Sequence, residues 1–448
     1  MAFATLLLLT LSFTSISSQA PHSHSNVKNI QHFWGPYSPF FSVPSEISAA
    51  TPPGCKITFA QVLSRHGARD PISVMAAKFK ALVNHIHASV TSYGEGYEFI
   101  KTYKYILGAE QLTPFGEREL IDSGEAFYTR YQALAAVNEP FVRVAGQRRV
   151  IKSALNWKQG FHSSKIANGY KVGNQDMVII PEAKGVNNTL KHGLCIAFED
   201  DIHSSSGKAA RAIWRDIFTR PITARLNKNL PGADLTAADT LALMELCPFN
   251  TVVDGIMSQF CNLFTLEEFK DFEYYETLDK YYRFHAGNPL GPTQGVGFTN
   301  ELIARLTQQP VVDHTSTNST LNSDPATFPL NRKLYADFTH DNDMMGIYGA
   351  LGLYSKTPEL SKTKRMSMSE TKGFTSSRLV PFGARMYVEK MRCGSSEEMV
   401  RVLVNDRVVP LVGCGADELG RCRLRPFVES LEFARSGGLW DKCFSSAY

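Results

Sequence analysis

The run Ile57-Thr58-Phe59-Ala60-Gln61-Val62-Leu63-Ser64-Arg65-His66-Gly67-Ala68-Arg69-Asp70-Pro71 decides how the chain is read. Its first half is short, aliphatic and aromatic, and follows Pro52-Pro53-Gly54. That is the pattern of a buried strand entered through a turn. Its second half sets a histidine between two arginines. Each guanidinium opposes a proton on the imidazole, so His66 should stay neutral and nucleophilic in mild acid. The same arginines offer planar forks of donors that match phosphate oxygens. In open α/β sheets ligands gather beyond the carboxyl ends of strands, which is where this strand would deliver the histidine. The bland alternative is a charged, solvated turn. Arg-His-Gly-x-Arg-x-Pro arises by accident in about one chain of this composition in ten thousand, so the chemical reading outweighs it.

A nucleophile alone is incomplete, because cleaving a phosphate ester also needs a proton for the leaving oxygen. Leu334-Tyr335-Ala336-Asp337-Phe338-Thr339-His340-Asp341-Asn342 is a second strand-like run ending in a polar cluster. Asp341 could protonate the leaving alkoxide and then activate water, and a protonated His340 could bind phosphate oxygens. A His-Asp dipeptide by itself is usually a surface turn; the first run creates the demand for it. Val142-Arg143-Val144-Ala145-Gly146-Gln147-Arg148-Arg149-Val150 reads as a strand followed by a basic turn. Arg148 and Arg149 read on their own as a solvated pair.

The 448 residues, 43% hydrophobic and 20% charged, suffice for one large domain or two and exclude a disordered chain. Forty-seven basic against 43 acidic residues leave a net charge of +4, too balanced for a nucleic-acid protein, so any positive field must be local. Residues 3–16 are apolar and lead into Ser17-Ser18-Gln19-Ala20, which reads as a signal peptide over residues 1–20 and a secreted protein. The run is too short for a typical membrane span. Eight cysteines, an even count in a secreted chain, predict four disulfides of open connectivity. The close pairs lack Cys-x-x-Cys spacing, so no structural metal is expected. Asn187 and Asn318 head glycosylation sequons.

Residues 21–50 turn from polar to aromatic and could pack on the body as an N-terminal arm. Residues 51–448 form one catalytic unit, with an α/β core over about 51–200 and 325–448 and a helical cap over about 201–310. Helices are expected over 76–90, from the Thr113-Pro114 cap, and across 206–285. Gly295-Val296-Gly297 should lead into a helix capped near Asn300. Residues 313–327 and 355–377 read as exposed loops. Strand-like runs return at 334–338, 384–388 and 400–404. The fold class is therefore α/β, a sheet flanked by helices with a smaller α-helical cap.

From about residue 33 to its C-terminus the chain resembles the histidine acid phosphatases, and within them the secreted fungal phytases. The segments that carry the resemblance are 59–69, Leu112-Thr113-Pro114-Phe115-Gly116-Glu117, 286–295, 336–342, 404–411 and Phe433-Ala434-Arg435-Ser436-Gly437-Gly438. The resemblance implies His66 as nucleophile and Asp341 as proton donor. It implies Arg65, Arg69, Arg149 and His340 as the cradle of the scissile phosphate. Arg149 is the matching arginine because it precedes Val150-Ile151; Arg148 is extra. It also implies a site between an α/β and a helical domain, no metal or other cofactor, and a monomer acting on a phosphomonoester such as phytate (inositol hexakisphosphate). The implied disulfides are Cys55–Cys393, Cys195–Cys443, Cys247–Cys261 and Cys414–Cys422. A further N-terminal pair usual in those phytases is absent, so the arm should be looser. At the pocket rim Lys78 and Lys280 are kept. Met75 and Asp279 stand where relatives often carry basic or neutral residues, Asp70 replaces an aromatic, Pro36 falls in the N-terminal rim segment, and Arg148 adds a charge back. Carboxylates near a polyanion repel it at neutral pH, so weaker phytate preference and a more acidic optimum are expected. The alternatives are a broad-specificity acid phosphatase and a secreted anion-binding protein with a dead site. Having both His66 and Asp341 argues against the second. A mutase-like role on the same chemistry conflicts with the leader and cysteines.

Overall fold

Residues 59–65 are buried without interruption in the strand Cys55–Arg65, as expected for a strand covered on both faces. This is β1 of one sheet. The others are β2 (Phe141–Ala145), β3 (Met177–Ile180), β4 (Leu334–Thr339), β5 (Arg385–Cys393), β6 (Glu398–Val404), β7 (Arg407–Val409) and β8 (Cys422–Arg423). The structure is a computed structural model. It describes residues 30–173, 177–394 and 397–444, the side chains of 201–205 aside. The leader expected over residues 1–20 lies outside them.

The strand order is β3-β2-β4-β1-β5-β6-β7, with β8 paired to β6. β3, β2, β4 and β1 run parallel, and β5, β6 and β7 continue the sheet antiparallel. The fold is mixed α/β. The helices Pro114–Arg130 and Arg148–Ala167 cover the sheet through a stack of rings. Phe127 lies 5.1 Å from Trp157, and Trp157 lies 5.7 Å from Phe338 of β4. The Pro114–Arg130 helix begins as its sequence predicts: Thr113 Oγ1 accepts from the Gly116 N–H at 3.1 Å, and proline takes the first position. The helix expected over 76–90 spans Ser73–Ser89. Across 206–285 lie three long helices, Asp201–Asn229, Ala237–Asp254 and Leu266–Phe284. The last two open on capping boxes, Thr236 with Asp239 and Thr265 with Glu268.

Charge is also buried in the sheet. Asp337 of β4 accepts from Arg143 Nε at 2.9 Å and Arg305 Nη1 at 2.6 Å, and Arg143 also reaches Glu301 at 2.8 Å. All four are nearly inaccessible, so the pairing is what makes their burial tolerable. Four disulfides join the pairs that the resemblance implies. One of them, Cys55–Cys393, bridges directly opposed residues of β1 and β5.

Four expectations need correction. The segment Pro292–Gly295 is a 3-10 turn that feeds straight into the helix Val296–Thr307, so Asn300 lies inside that helix rather than capping it. Its amide is used instead to hold Asp313 and the Ala434 carbonyl. The supposed loops at 313–327 and 355–377 are partly structured: Thr315, Ser316, Thr371 and Ser376 are buried, and Asn318 caps a short helix, Ser319–Ser323. The Asn187 amide donates to the Thr317 carbonyl at 2.8 Å. The described part of the arm, residues 30–50, is not loose. Trp34 is fully buried, the Gly35 N–H donates to Glu273, and the Phe40 N–H donates to Glu119. Finally, Arg148 and Arg149 do not form a turn; they open the Arg148–Ala167 helix.

Candidate active site

Strand register builds the centre of the site. Arg65 of β1 is paired with Thr339 of β4. The next residue of each strand, His66 and His340, therefore leaves the sheet beside the other, with ring centroids 5.6 Å apart. The loop after His66 settles onto the start of the Pro114–Arg130 helix, and only glycines allow the approach. A Cβ on Gly67 would fall 2.3 Å from the Gly116 carbonyl oxygen, and one on Gly116 would fall 2.0 Å from that of Ala68. His66 Nδ1 lies 2.9 Å from the Gly67 carbonyl oxygen. A carbonyl only accepts, so Nδ1 carries the hydrogen and the ring's lone pair is on Nε2. Burial, then the charges of Arg65, Arg149 and Arg69, hold the imidazole well below its ordinary pKa. The ring therefore stays unprotonated well below the ordinary imidazole pKa, with its lone pair on Nε2.

Three arginines surround it from different elements. Arg65, the last residue of β1, donates through Nη1 to the carbonyls of Pro36 and, at 2.7 Å, Val380. Its other terminal nitrogen is 3.6 Å from Asp341. Its guanidinium lies 4.6 Å from the Phe382 ring centroid. Arg69 lies between the rings of Phe249 and Phe382, and its Nη1 donates to the Asp70 carbonyl at 2.8 Å. Arg149 projects from the first turn of its helix, 3.8 Å from Glu110. Burial and the neighbouring Arg69 lower both Arg65 and Arg149 to about 10, which leaves them charged at any acidic pH.

Asp341 is the first residue of the helix Asp341–Ala350, with His340 as its N-cap. Its Oδ2 accepts from Lys280 Nζ at 2.6 Å, and the same ammonium holds Asn342 Oδ1 at 2.6 Å. Burial disfavours the carboxylate, but Arg65 and Lys280 outweigh it and hold Asp341 well below the usual carboxylate range. His340 Nε2 donates to Glu182 Oε1 at 2.9 Å. An unprotonated imidazole, a carboxylate and a set of cations thus meet where two neighbouring parallel strands end.

The description "histidine phosphatase superfamily (branch 2)" belongs to the family model that matches residues 56–405. The chain belongs to this family. Phytase A of Aspergillus oryzae is 48% identical over 459 residues, covering 98% of each chain. Phytase A of Aspergillus fumigatus is 51% identical over 424 residues, covering 92% of this chain and 90% of its own. Among solved structures, the phytase from D. castellii superposes with a TM-score of 0.78 at 24% identity, covering 94% of this chain and 89% of its own. The Bifidobacterium longum multiple inositol polyphosphate phosphatase, in complex with inositol hexasulfate, gives 0.61 at 14% identity, covering 88% and 96%. These two likenesses concern the fold.

The pocket of this histidine phosphatase has a volume of about 520 Å³ and is lined by His66, Arg69, Arg149, His340 and Asp341. Arg65 supports it from beneath, 1% exposed. Of the expected rim, Met75, Lys78, Asp279 and Lys280 line it, while Arg148 is exposed and points elsewhere. Successive residues of a helix diverge by about 100°, so only one of the two arginines can face the site. Lys280 is no free rim cation, because its ammonium is engaged by Asp341 and Asn342. Lys78 donates to the Ala238 carbonyl at 2.9 Å, and Asp279 lies 3.6 Å from Arg211. Asp70 turns away from the pocket and accepts from the Gly108 N–H at 3.1 Å, so it does not meet a ligand. Sequence reasoning missed Glu182, Lys191, His192, Arg211, Glu245, Glu276, Arg283 and Asn342, which also line the pocket. Apart from Asn342, which adjoins Asp341, they come from cap helices and loops with no local motif, so nothing in the linear sequence marks them.

Proposed function

We propose that this protein is a secreted acid phosphatase that hydrolyses phosphate monoesters, with phytate as its substrate, through a phosphohistidine on His66 and with Asp341 as proton donor. The observation that carries the reading is the uncharged His66, its Nε2 free, enclosed by Arg65, Arg69 and Arg149 and facing Asp341 in one pocket. The two relatives named phytase A support the choice of phytate. Four disulfides fit an oxidising compartment, and among the described residues no helix is long and apolar enough to cross a membrane.

In the first step the Nε2 lone pair attacks phosphorus and the bond to the ester oxygen breaks. The oxygen keeps that electron pair and takes the Asp341 proton, leaving as the alcohol. In the second, water attacks phosphorus, its proton goes to the Asp341 carboxylate, and the N–P bond breaks to return neutral His66 and phosphate. The arginines stabilise the charge on the transferring group. In the empty pocket Asp341 is ionised, so the donated proton must arrive with substrate. A phosphate monoester monoanion carries one, and its negative charge cancels the arginine field that keeps Asp341 acidic. Activity should then fall as pH rises through about 6, where such esters lose their second proton.

The test is phosphate release from phytate and from an aryl phosphate at pH 5, by wild type and His66→Ala, with and without chelator. His66→Ala should lose at least about a thousand-fold in kcat. Activity that survives this substitution rules out the mechanism, and loss with chelator points to metal chemistry instead.

A further inference from the structure

Three pocket-lining residues play no part in the proposed chemistry: Lys191, His192 and Arg283. His192 and Arg283 meet one aromatic wall, and Lys191 precedes His192 in the chain. The Arg283 guanidinium lies 4.7 Å from the centroid of Phe284, Lys280 Nζ 5.4 Å from it, and the His192 ring 5.9 Å from it. Because Lys280 also holds Asp341, this wall leads directly away from the acid. His192 is fixed on it. Its backbone N–H donates to Asp343 Oδ1 at 2.6 Å, and its Nδ1 is 2.5 Å from Glu199 Oε1. That leaves Nε2 4.0 Å from Asp343 Oδ1.

The pairing of the pocket's cations is uneven. Arg149 faces Glu110, Arg211 faces Asp279, and Lys280 holds Asp341. Among the described residues, no carboxylate lies within ion-pair distance of Lys191 or Arg283, and neither side chain donates a hydrogen bond to a protein acceptor. Both are only half exposed. Partly desolvated cations with no counter-charge at ion-pair distance gain most from an anion that enters from outside. A guanidinium fork and a nearby ammonium suit a phosphate dianion.

We propose that Lys191, His192 and Arg283 form a second phosphate subsite, which takes a non-scissile phosphate of a polyphosphorylated substrate while another phosphate lies against His66. The proposal rests on the reading of this pocket as a phosphomonoesterase site. It places the discrimination between many-phosphate and single-phosphate substrates on the Phe284 wall rather than on Lys280.

The experiment compares wild type with Lys191→Gln/Arg283→Gln at pH 5. Calorimetry measures binding of inositol hexakissulfate, a polyanion that is not hydrolysed, and of inorganic phosphate, which needs only the cradle. The double variant should bind the hexakissulfate about ten-fold more weakly and inorganic phosphate within two-fold of wild type. Its kcat/KM for an aryl phosphate should also stay within two-fold, while KM for phytate rises about ten-fold. Unchanged hexakissulfate affinity overturns the subsite. So does an equal loss for both ligands, which would mean a distorted pocket. Should the double variant fail to fold, the single Lys191→Gln is held to the same comparison with an expected three-fold effect. A wild type that binds the hexakissulfate but hydrolyses no monoester overturns the phosphatase reading and leaves the binding comparison to decide the subsite.

Discussion

Asp341 is the residue whose state depends most on what shares the pocket. Lys280 and Arg65 keep it ionised while the pocket is empty, so its value as an acid depends on an incoming phosphate. Replacing it separates its role from that of His66. Asp341→Asn cannot supply a proton, so hydrolysis of an alkyl phosphate, whose leaving oxygen needs one, should fall about a hundred- to ten-thousand-fold. An aryl phosphate with an acidic phenol should lose far less. Equal losses on both substrates would remove Asp341 from the role of proton donor. That His66 and Asp341 would come together was legible in sequence, because each follows a strand-like run. The clamp from Lys280 was not, since 61 residues separate it from Asp341.

At the scale of elements, the loop after His66 is held by its neighbours at contact distance. Gly116→Ala places a methyl where the Ala68 carbonyl now lies. The loop must move, and kcat/KM should fall at least about ten-fold in steady-state assays, since displacing reacting groups by about 1 Å can cost 100-fold. The arm is held by Glu273, which accepts from the Gly35 N–H at 2.8 Å and the Ser377 N–H at 3.0 Å. These two segments run on to Pro36 and Val380, whose carbonyls orient Arg65. Glu273→Ala leaves two buried donors unpaired, a cost of about 2–4 kcal/mol. A urea melt should register it, together with reduced kcat. Unchanged stability would show that the arm does not depend on this carboxylate. The helices and central strands were legible because period and caps are local signals. The arm's packing was not, because its anchors come from distant helices.

Over the whole molecule, pH acts on buried carboxyls. Burial raises Glu119 and Glu245 to about 7 and Glu276 to about 8. A carboxyl raised on folding adds stability below its unfolded value of 4.5 and loses it as pH climbs through the folded value. His66 and His285 are lowered by burial, and their contribution has the opposite slope but ends near 6.5, where both states are neutral. Between about pH 6.5 and 8 the carboxyls alone decide, so Tm should fall across that interval in thermal melts. A flat or rising Tm would contradict their burial. Glu245 and Glu276 also line the pocket. Protonated at pH 5, and at pH 8 mostly charged (Glu245) or about half charged (Glu276), they should make phytate turnover fall more steeply than aryl phosphate turnover over that range. Parallel pH profiles would refute this. By itself the sequence determined which polar side chains end β1 and β4, since strands, caps and the Arg-His-Gly run are properties of neighbouring residues. Only the tertiary structure decided how the charges are shared. Asp337 and Asp341 belong to one short run, yet one is spent on Arg143 and Arg305 in the sheet and the other faces the pocket. Arg148 and Arg149 are adjacent, yet one faces solvent and the other the site. Asp337 lies within β4 while Asp341 opens the following helix, successive helix residues diverge by about 100°, and what each side chain then meets is set by segments far away in the chain.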